Sequence, residues 1–97
     1  MKLGGEALQR VAKALADPQR VEILRQASRG ELRCTDLMER FAIAQPTISH
    51  HLKELTSAGL LARRKEGKFA FYRFVPEVLE AYTRQLSVAL GLAASAG

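Results

Sequence analysis

Along the first half of the chain, apolar residues recur at the three- and four-residue spacing of a helix. Leu8, Val11, Ala12 and Leu15 form one such stripe and predict a helix from Glu6 to Ala16. Asp17-Pro18 then restarts the chain. An aspartate side chain accepts orphan backbone N–H groups, and proline at the first helical position gives up only an N–H that has no intrahelical partner. A second helix therefore begins at Pro18, with Val21, Ile23, Leu24 and Ala27 on its apolar side. It ends at Ser28 or Arg29, with Gly30 expected in the left-handed conformation that closes helices. Glu31-Leu32-Arg33 reads as a short extended link, after which Asp36 and Glu39 resemble a capping pair opening a third helix to about Phe41.

Ala42-Ile43-Ala44 makes a short turn, and Gln45-Pro46 opens a fourth helix that reaches Ala58 before Gly59 stops it. Two helices joined this tightly predict a helix-turn-helix. Beyond Gly59 the pattern changes to strands. Leu60 to Lys65 and Lys68 to Val75, joined at Glu66-Gly67, predict a β-hairpin in which Gly67 supplies the positive φ of the turn. Phe69 and Phe71 alternate with Ala70, Tyr72 and Phe74, so one hairpin face packs on the helices; the pattern leaves open which. Pro76 starts a last helix in which Val78, Tyr82, Leu86 and Leu90 repeat every four residues. The expected fold is mainly α with a small β-hairpin: a winged helix-turn-helix of five helices, with a two-stranded wing between the fourth and fifth.

A length of 97 residues restricts these elements to one domain, 1–97, and 47% apolar with 26% charged residues is the composition of a chain that folds. A domain of this size buries only ~60 to 65% of its unfolded surface, and the last helix carries more apolar surface than so small a core absorbs. The first and last helices, within 1–16 and 76–97, are therefore expected to form a homodimer through Leu8, Val11, Val78, Tyr82, Leu86 and Leu90. The one cysteine, Cys34, cannot form a disulfide within the chain, and neither a leader nor a membrane-length apolar segment is visible. A cytoplasmic protein without a membrane partner is expected.

The net charge of +5 is concentrated. Lys53, Arg63, Arg64, Lys65, Lys68 and Arg73 face only Glu54 and Glu66 in the segment from 53 to 73, which carries +4 of the total. Such a stretch is the electrostatic footprint of a polyanion, or else an ordinary solvated face. On a wheel at ~100° per residue, Ile48, Leu52 and Leu55 of the fourth helix fall within about 60° of one another. Opposite them lie Pro46, His50, Lys53 and Ser57, flanked by Ser49 on one side and by Thr47 and Glu54 on the other. Gln45, Thr47, Ser49, His50 and Lys53 suit the edges and walls of a DNA major groove, and Arg64, Lys65 and Lys68 on the wing suit adjacent phosphates. His51 flanks the apolar stripe and is expected to pack in the fold, and Arg20 to pair with Glu22 or Glu54. No Ser-His-Asp set, paired carboxylates, phosphate loop or metal cluster marks an enzyme.

Three stretches together resemble the ArsR/SmtB-type winged-helix repressors of bacteria. They are Leu15-Ala16-Asp17-Pro18 with Arg20, Ile23 and Leu24; Gln45-Pro46-Thr47-Ile48-Ser49-His50-His51-Leu52-Lys53 running to Leu61; and Arg64-Lys65-Glu66-Gly67-Lys68 with Tyr72 and Phe74. The resemblance implies a homodimer that binds double-stranded DNA at a pseudo-palindromic operator. It also implies where a metal would sit in the best known members, and there this chain departs. The thiol-type pattern Glu-Leu-Cys-x-Cys-Asp-Leu becomes Glu31-Leu32-Arg33-Cys34-Thr35-Asp36-Leu37, and the last helix, whose family site uses His and Asp, has only Glu77 and Glu80. No metal or other cofactor is expected, since tight zinc or metalloid sites need clustered N or S ligands. Cys34, beside Arg33 at a helix start, is the candidate redox reporter, against the plainer reading of a partly buried small residue. The alternatives are a metal- or redox-responsive derepressor of the same family, or a winged-helix protein-interaction module.

Overall fold

The computed structural model describes residues 1–94. In chain order it contains α1 (Gly5–Leu15), α2 (Pro18–Ala27), β1 (Leu32–Arg33), α3 (Cys34–Arg40), α4 (Gln45–Ser57), β2 (Leu61–Glu66), β3 (Phe69–Phe74) and α5 (Pro76–Ala89). The five helices and the hairpin between α4 and α5 follow the expected plan. The extended link before α3 is more than a link: β1 pairs antiparallel with β3, Leu32 opposite Tyr72 and Arg33 opposite Phe71, which gives a three-stranded sheet in the order β1-β3-β2.

Each junction has a physical cause. Asp17 accepts a hydrogen bond from Gln19 N at 2.8 Å and caps α2 as its sequence position predicts. Arg20 pairs with neither Glu22 nor Glu54. Its guanidinium instead donates to two carbonyls in the last turn of α1, Ala14 at 2.8 Å and Lys13 at 3.3 Å, the latter also accepting from Ala16 N at 3.2 Å; Glu22 pairs with Arg25. Gly30 is not left-handed, and α2 closes through Ser28, whose hydroxyl donates to Arg25 O at 2.6 Å. The third helix starts two residues before Asp36, which occupies its third position: its carboxylate accepts from the backbone N–H of Arg33 at 2.7 Å and from the Arg33 guanidinium at 3.3 Å.

At the end of α4, Gly59 takes φ +79° and the chain doubles back, with Leu60 N bonded to Leu55 O at 3.0 Å and Gly59 N to Thr56 O at 3.0 Å. This reverse cap brings Leu60 against Leu55, both fully buried, and turns the chain directly into β2. Gly67, at φ +60°, does the same service at the hairpin tip. The core sits where all the elements meet: Val11 and Ala14 of α1, Ile23 and Leu24 of α2, Leu37 of α3, Ile48, Leu52 and Leu55 of α4, with Leu32, Leu60, Leu61 and Val78 from the sheet side and α5.

Leu55 therefore supports both the packing and the cap of α4. Leu55→Ala should lower the unfolding free energy by ~2 to 5 kcal/mol in a urea titration at fixed protein concentration, whereas Leu92→Ala, at a largely exposed site, should leave the midpoint unchanged.

Candidate nucleic-acid interface

Burial of one stripe of α4 decides what the opposite side offers. With Ile48, Leu52 and Leu55 turned inward, Gln45, Pro46, Thr47, His50, Lys53 and Ser57 are exposed and Ser49 is half-buried. Gln45 Nε2 donates to Ser49 Oγ at 2.9 Å, so these two groups orient each other one helical turn apart. Ala44 precedes the helix in extended conformation and contributes no side-chain cap; Thr47 N and Ile48 N bond to its carbonyl at 3.0 and 3.2 Å.

His51 is packed, as expected. It is 5% exposed, and its Nε2 lies 2.8 Å from Gln19 Oε1 of α2. Because that amide oxygen is an acceptor, Nε2 carries the hydrogen and donates; Nδ1 is buried with no partner. Burial pushes the imidazole below its usual 6.5, opposed by the carboxylate of Asp17 and aided by the Arg20 guanidinium nearby. A neutral His51 thus ties α4 to α2, and its neighbour His50 is left free to face outward.

The register of the sheet sorts the basic residues of the wing. Arg63 lies opposite Tyr72 and Leu61 opposite Phe74, so Leu61, Arg63 and Lys65 share a face with Tyr72 and Phe74. Tyr72 and Phe74 pack against the core, which identifies this as the face toward the helices. Arg63 there lines a cleft with Ser49, Lys53, Thr56, Ser57 and Tyr72. The other face carries Arg64, Glu66, Phe69 and Phe71. On it Arg64 binds both oxygens of Glu31, Nη2 to Oε1 at 2.6 Å and Nε to Oε2 at 3.4 Å, pairs with Glu66, and stacks 4.6 Å from the centre of the Phe71 ring. Glu31 first, and Glu66 with it, raise the affinity of Arg64 for its proton.

Arg64, expected among the phosphate-binding residues, is thus committed to two carboxylates on the side of the sheet away from α4. Arg63, absent from that expected set, is the arginine beside the helix. Strand alternation between two adjacent arginines was the available signal, but it could be used only once the inward face was known. Lys65 lies on the same face as Arg63, and Lys68 sits at the hairpin tip, its Nζ 5.7 Å from the Phe69 ring centre.

Around α3, the Arg33 side chain is bound to Asp36 and lies 5.5 Å from the Phe69 ring centre, and Thr35 is exposed. Cys34 is half-buried against the core. Among the described residues no three His, Cys, Asp or Glu side chains are grouped as metal ligands, and no helix is long and apolar enough to cross a membrane.

The surfaces expected to dimerise divide. Val11 and Val78 belong to the protomer's own core, at 0% and 8% exposure, and cannot reach a partner; the four-residue repeat of α5 does not lie wholly on one exposed side. Leu8 and Tyr82 line a groove between α1 and α5 with Gln9, Ala12, Gln85 and Leu86, and Leu86 and Leu90 are open to solvent. Gln85 pins the N-terminal segment to α5 through two bonds to the Leu3 backbone, at 2.6 and 3.0 Å. Positions 95–97 of the expected dimer segment lie outside the described residues.

Comparison with known proteins places this geometry in a family. Residues 17–63 match the family model described as bacterial regulatory protein, arsR family. An arsenical resistance operon repressor of Staphylococcus xylosus is 41% identical over 81 residues, covering 84% of this chain and 78% of that protein. The transcriptional repressor SdpR of Bacillus subtilis is 37% identical over 70 residues, covering 72% of this chain and 78% of its own. Among solved structures, an ArsR-like transcriptional regulator from Rhodococcus superposes with a TM-score of 0.80 at 29% identity, over 89% of this chain and 81% of that one. The homodimeric winged helix-turn-helix DNA-binding domain of a possible ArsR-family regulator from Mycobacterium bovis gives 0.72 at 30% identity, over 87% and 79%.

The buried imidazole makes stability depend on pH. Because the folded-state pKa of His51 is depressed, its contribution is complete above the unfolded value near 6.5 and is lost as pH falls below it, where the unfolded chain takes the proton first. Urea midpoints should fall from pH 7.5 to 5.5, and His51→Gln should flatten that interval.

Proposed function

Because the chain belongs to the ArsR family of bacterial regulatory proteins, we propose that it is a transcriptional repressor, not an enzyme, that binds a pseudo-palindromic operator as a homodimer in the cytoplasm. The observation that carries this reading is the outer face of α4. The helix presents His50 and Lys53 on the side opposite its buried stripe, with Thr47 and Ser49 flanking them and Gln45 exposed at its start, beside a wing with basic residues at its tip. A helix ~10 to 12 Å across fits a major groove ~12 Å wide, in which Gln pairs with adenine, the Thr methyl meets thymine, and His and Ser donate to acceptors. Lys65 and Lys68 hold flanking phosphates and supply affinity without reading sequence.

Dimerisation uses the α1–α5 face, where Leu8, Tyr82, Leu86 and Leu90 are available to a second copy. The two α4 helices then meet successive major grooves, with half-sites about 34 Å apart or a multiple of it. Regulation by a thiol-bound metal is not part of this reading, because Arg33 and Thr35 stand at the two positions where the family pattern has cysteines and the Arg33 side chain is already engaged with Asp36 and Phe69.

Fluorescence anisotropy on the upstream DNA and on a scrambled duplex, across a salt series, tests the function. Operator binding should be tighter and steeply salt-dependent; weak, equal binding to both duplexes would indicate a protein-interaction module. His50→Ala should cost ~1 to 3 kcal/mol at one base position, whereas Lys68→Ala should weaken all sequences alike and lower the salt slope by about 1.

Sedimentation tests the assembly separately. Leu86→Glu should shift a micromolar sample from dimer to monomer; an unchanged dimer would place the interface elsewhere.

A further inference from the structure

Two adjacent arginines of the wing have opposite surroundings. Arg64 is held by Glu31 and Glu66 over Phe71, on the side of the sheet away from the helices. Arg63 is exposed, has no carboxylate partner among the described residues, and lines the cleft between α4 and the sheet with Ser49, Lys53, Thr56, Ser57 and Tyr72. That cleft, about 270 Å³ in volume, carries two cations, three aliphatic hydroxyls and a phenol, with no carboxylate in its lining. Thr56 donates to Leu52 O at 2.7 Å, which leaves Arg63, Lys53 and the remaining hydroxyls to meet an anion. The cleft flanks the helix, and a helix that fills the major groove meets the phosphodiester backbone at its flanks and the base edges only at its tip and outer face.

We propose that Arg63, together with Lys53, seats a DNA backbone phosphate in this cleft, and that Arg64 is a positioning residue that touches no DNA and holds the wing at the angle that lets Arg63 reach. The assignment rests on the DNA-binding reading above and deepens it. Arg63 links the recognition helix to the wing through one phosphate, so the two elements engage the duplex as a unit. Arg64 acts through Glu31, which precedes β1 and ties the hairpin to the body of the domain, while its pair with Glu66 on the same strand holds the guanidinium in place. Its guanidinium fork and the flat Phe71 ring beneath it fix the geometry that a single point charge would leave loose.

The experiment measures operator and scrambled-duplex affinity across a salt series for the wild-type protein, for Arg63→Gln, Arg63→Lys, Arg64→Gln, Arg64→Lys and Glu31→Gln, and for Arg64→Gln and Glu31→Gln each combined with Arg63→Gln, with thermal unfolding of each. Arg63→Gln should lower the slope of log affinity against log salt by about 1, weaken both duplexes by the same factor and leave unfolding unchanged, and Arg63→Lys should restore the slope. Arg64→Gln and Glu31→Gln should weaken both duplexes and lower the slope only while Arg63 is present, adding nothing further in the Arg63→Gln background, since both act by letting Arg63 reach its phosphate. Arg64→Lys, which keeps a cation for both carboxylates, should recover part of the loss. A wild-type slope in Arg63→Gln, or a further drop in slope when Arg64→Gln is added to Arg63→Gln, overturns the assignment while leaving the DNA-binding reading intact. A wild-type protein with no salt-dependent DNA binding overturns both.

Discussion

Burying Ile48, Leu52 and Leu55 against the rest of the domain fixes the rotation of α4 about its own axis, because at ~100° per residue three inward side chains determine where every other one points. His51 at the edge of that stripe adds a directional bond to Gln19 of α2, so the helix is held against sliding as well as rolling. The outward placement of His50 and Lys53, with Thr47 at their flank, is a consequence of what is buried behind them. A site built on a rigid element in this way is presented with little ordering cost on binding.

The sheet imposes a second sorting. A strand alternates its side chains, so a run of basic residues cannot act as one patch; it is split between two faces. Residues 63 and 65 follow Leu61 toward the helices, and residues 64 and 66 go to the other side, where Glu31 and the aromatic rings meet them. The short strand β1 matters here. By pairing with β3 it brings Glu31 and Arg33 beside the hairpin, which turns a free two-stranded ribbon into an anchored edge, and two-stranded ribbons in isolation are marginal. The same pairing engages Arg33, at one of the positions where metal-sensing relatives of this pattern carry thiols, in the cap of α3 and over Phe69. The stretch that could have been a ligand cluster is a structural joint.

Much of this was legible in the residues. Asp17-Pro18, Gln45-Pro46, Gly59, Gly67 and Pro76 punctuate the chain through local chemistry that does not depend on the fold, and the helices and hairpin fall where those signals place them. Most of the errors have a long-range cause. The partner of Arg20 and the strand character of Leu32–Arg33 depend on which distant groups are brought near: the carbonyls at the end of α1 claim Arg20, and the free edge of β3 claims β1, whereas the end of α2 and the start of α3 turn on local bonds from Ser28 and Asp36. Val11 and Val78 show the same limit, since an apolar stripe looks alike whether it faces its own core or a partner.

The sequence by itself determined the order and kind of the elements, the polar face of α4 and the place of the positive charge, because helical period, strand alternation, capping and turn chemistry act over a few residues. Only the tertiary structure decided which basic side chains remain available. Arg63 and Arg64 are chemically identical neighbours, and what separates them is that Glu31, thirty-three positions before Arg64, is folded against one and not the other. Electrostatic partners are set by distance in space, and that distance is not encoded in any local pattern.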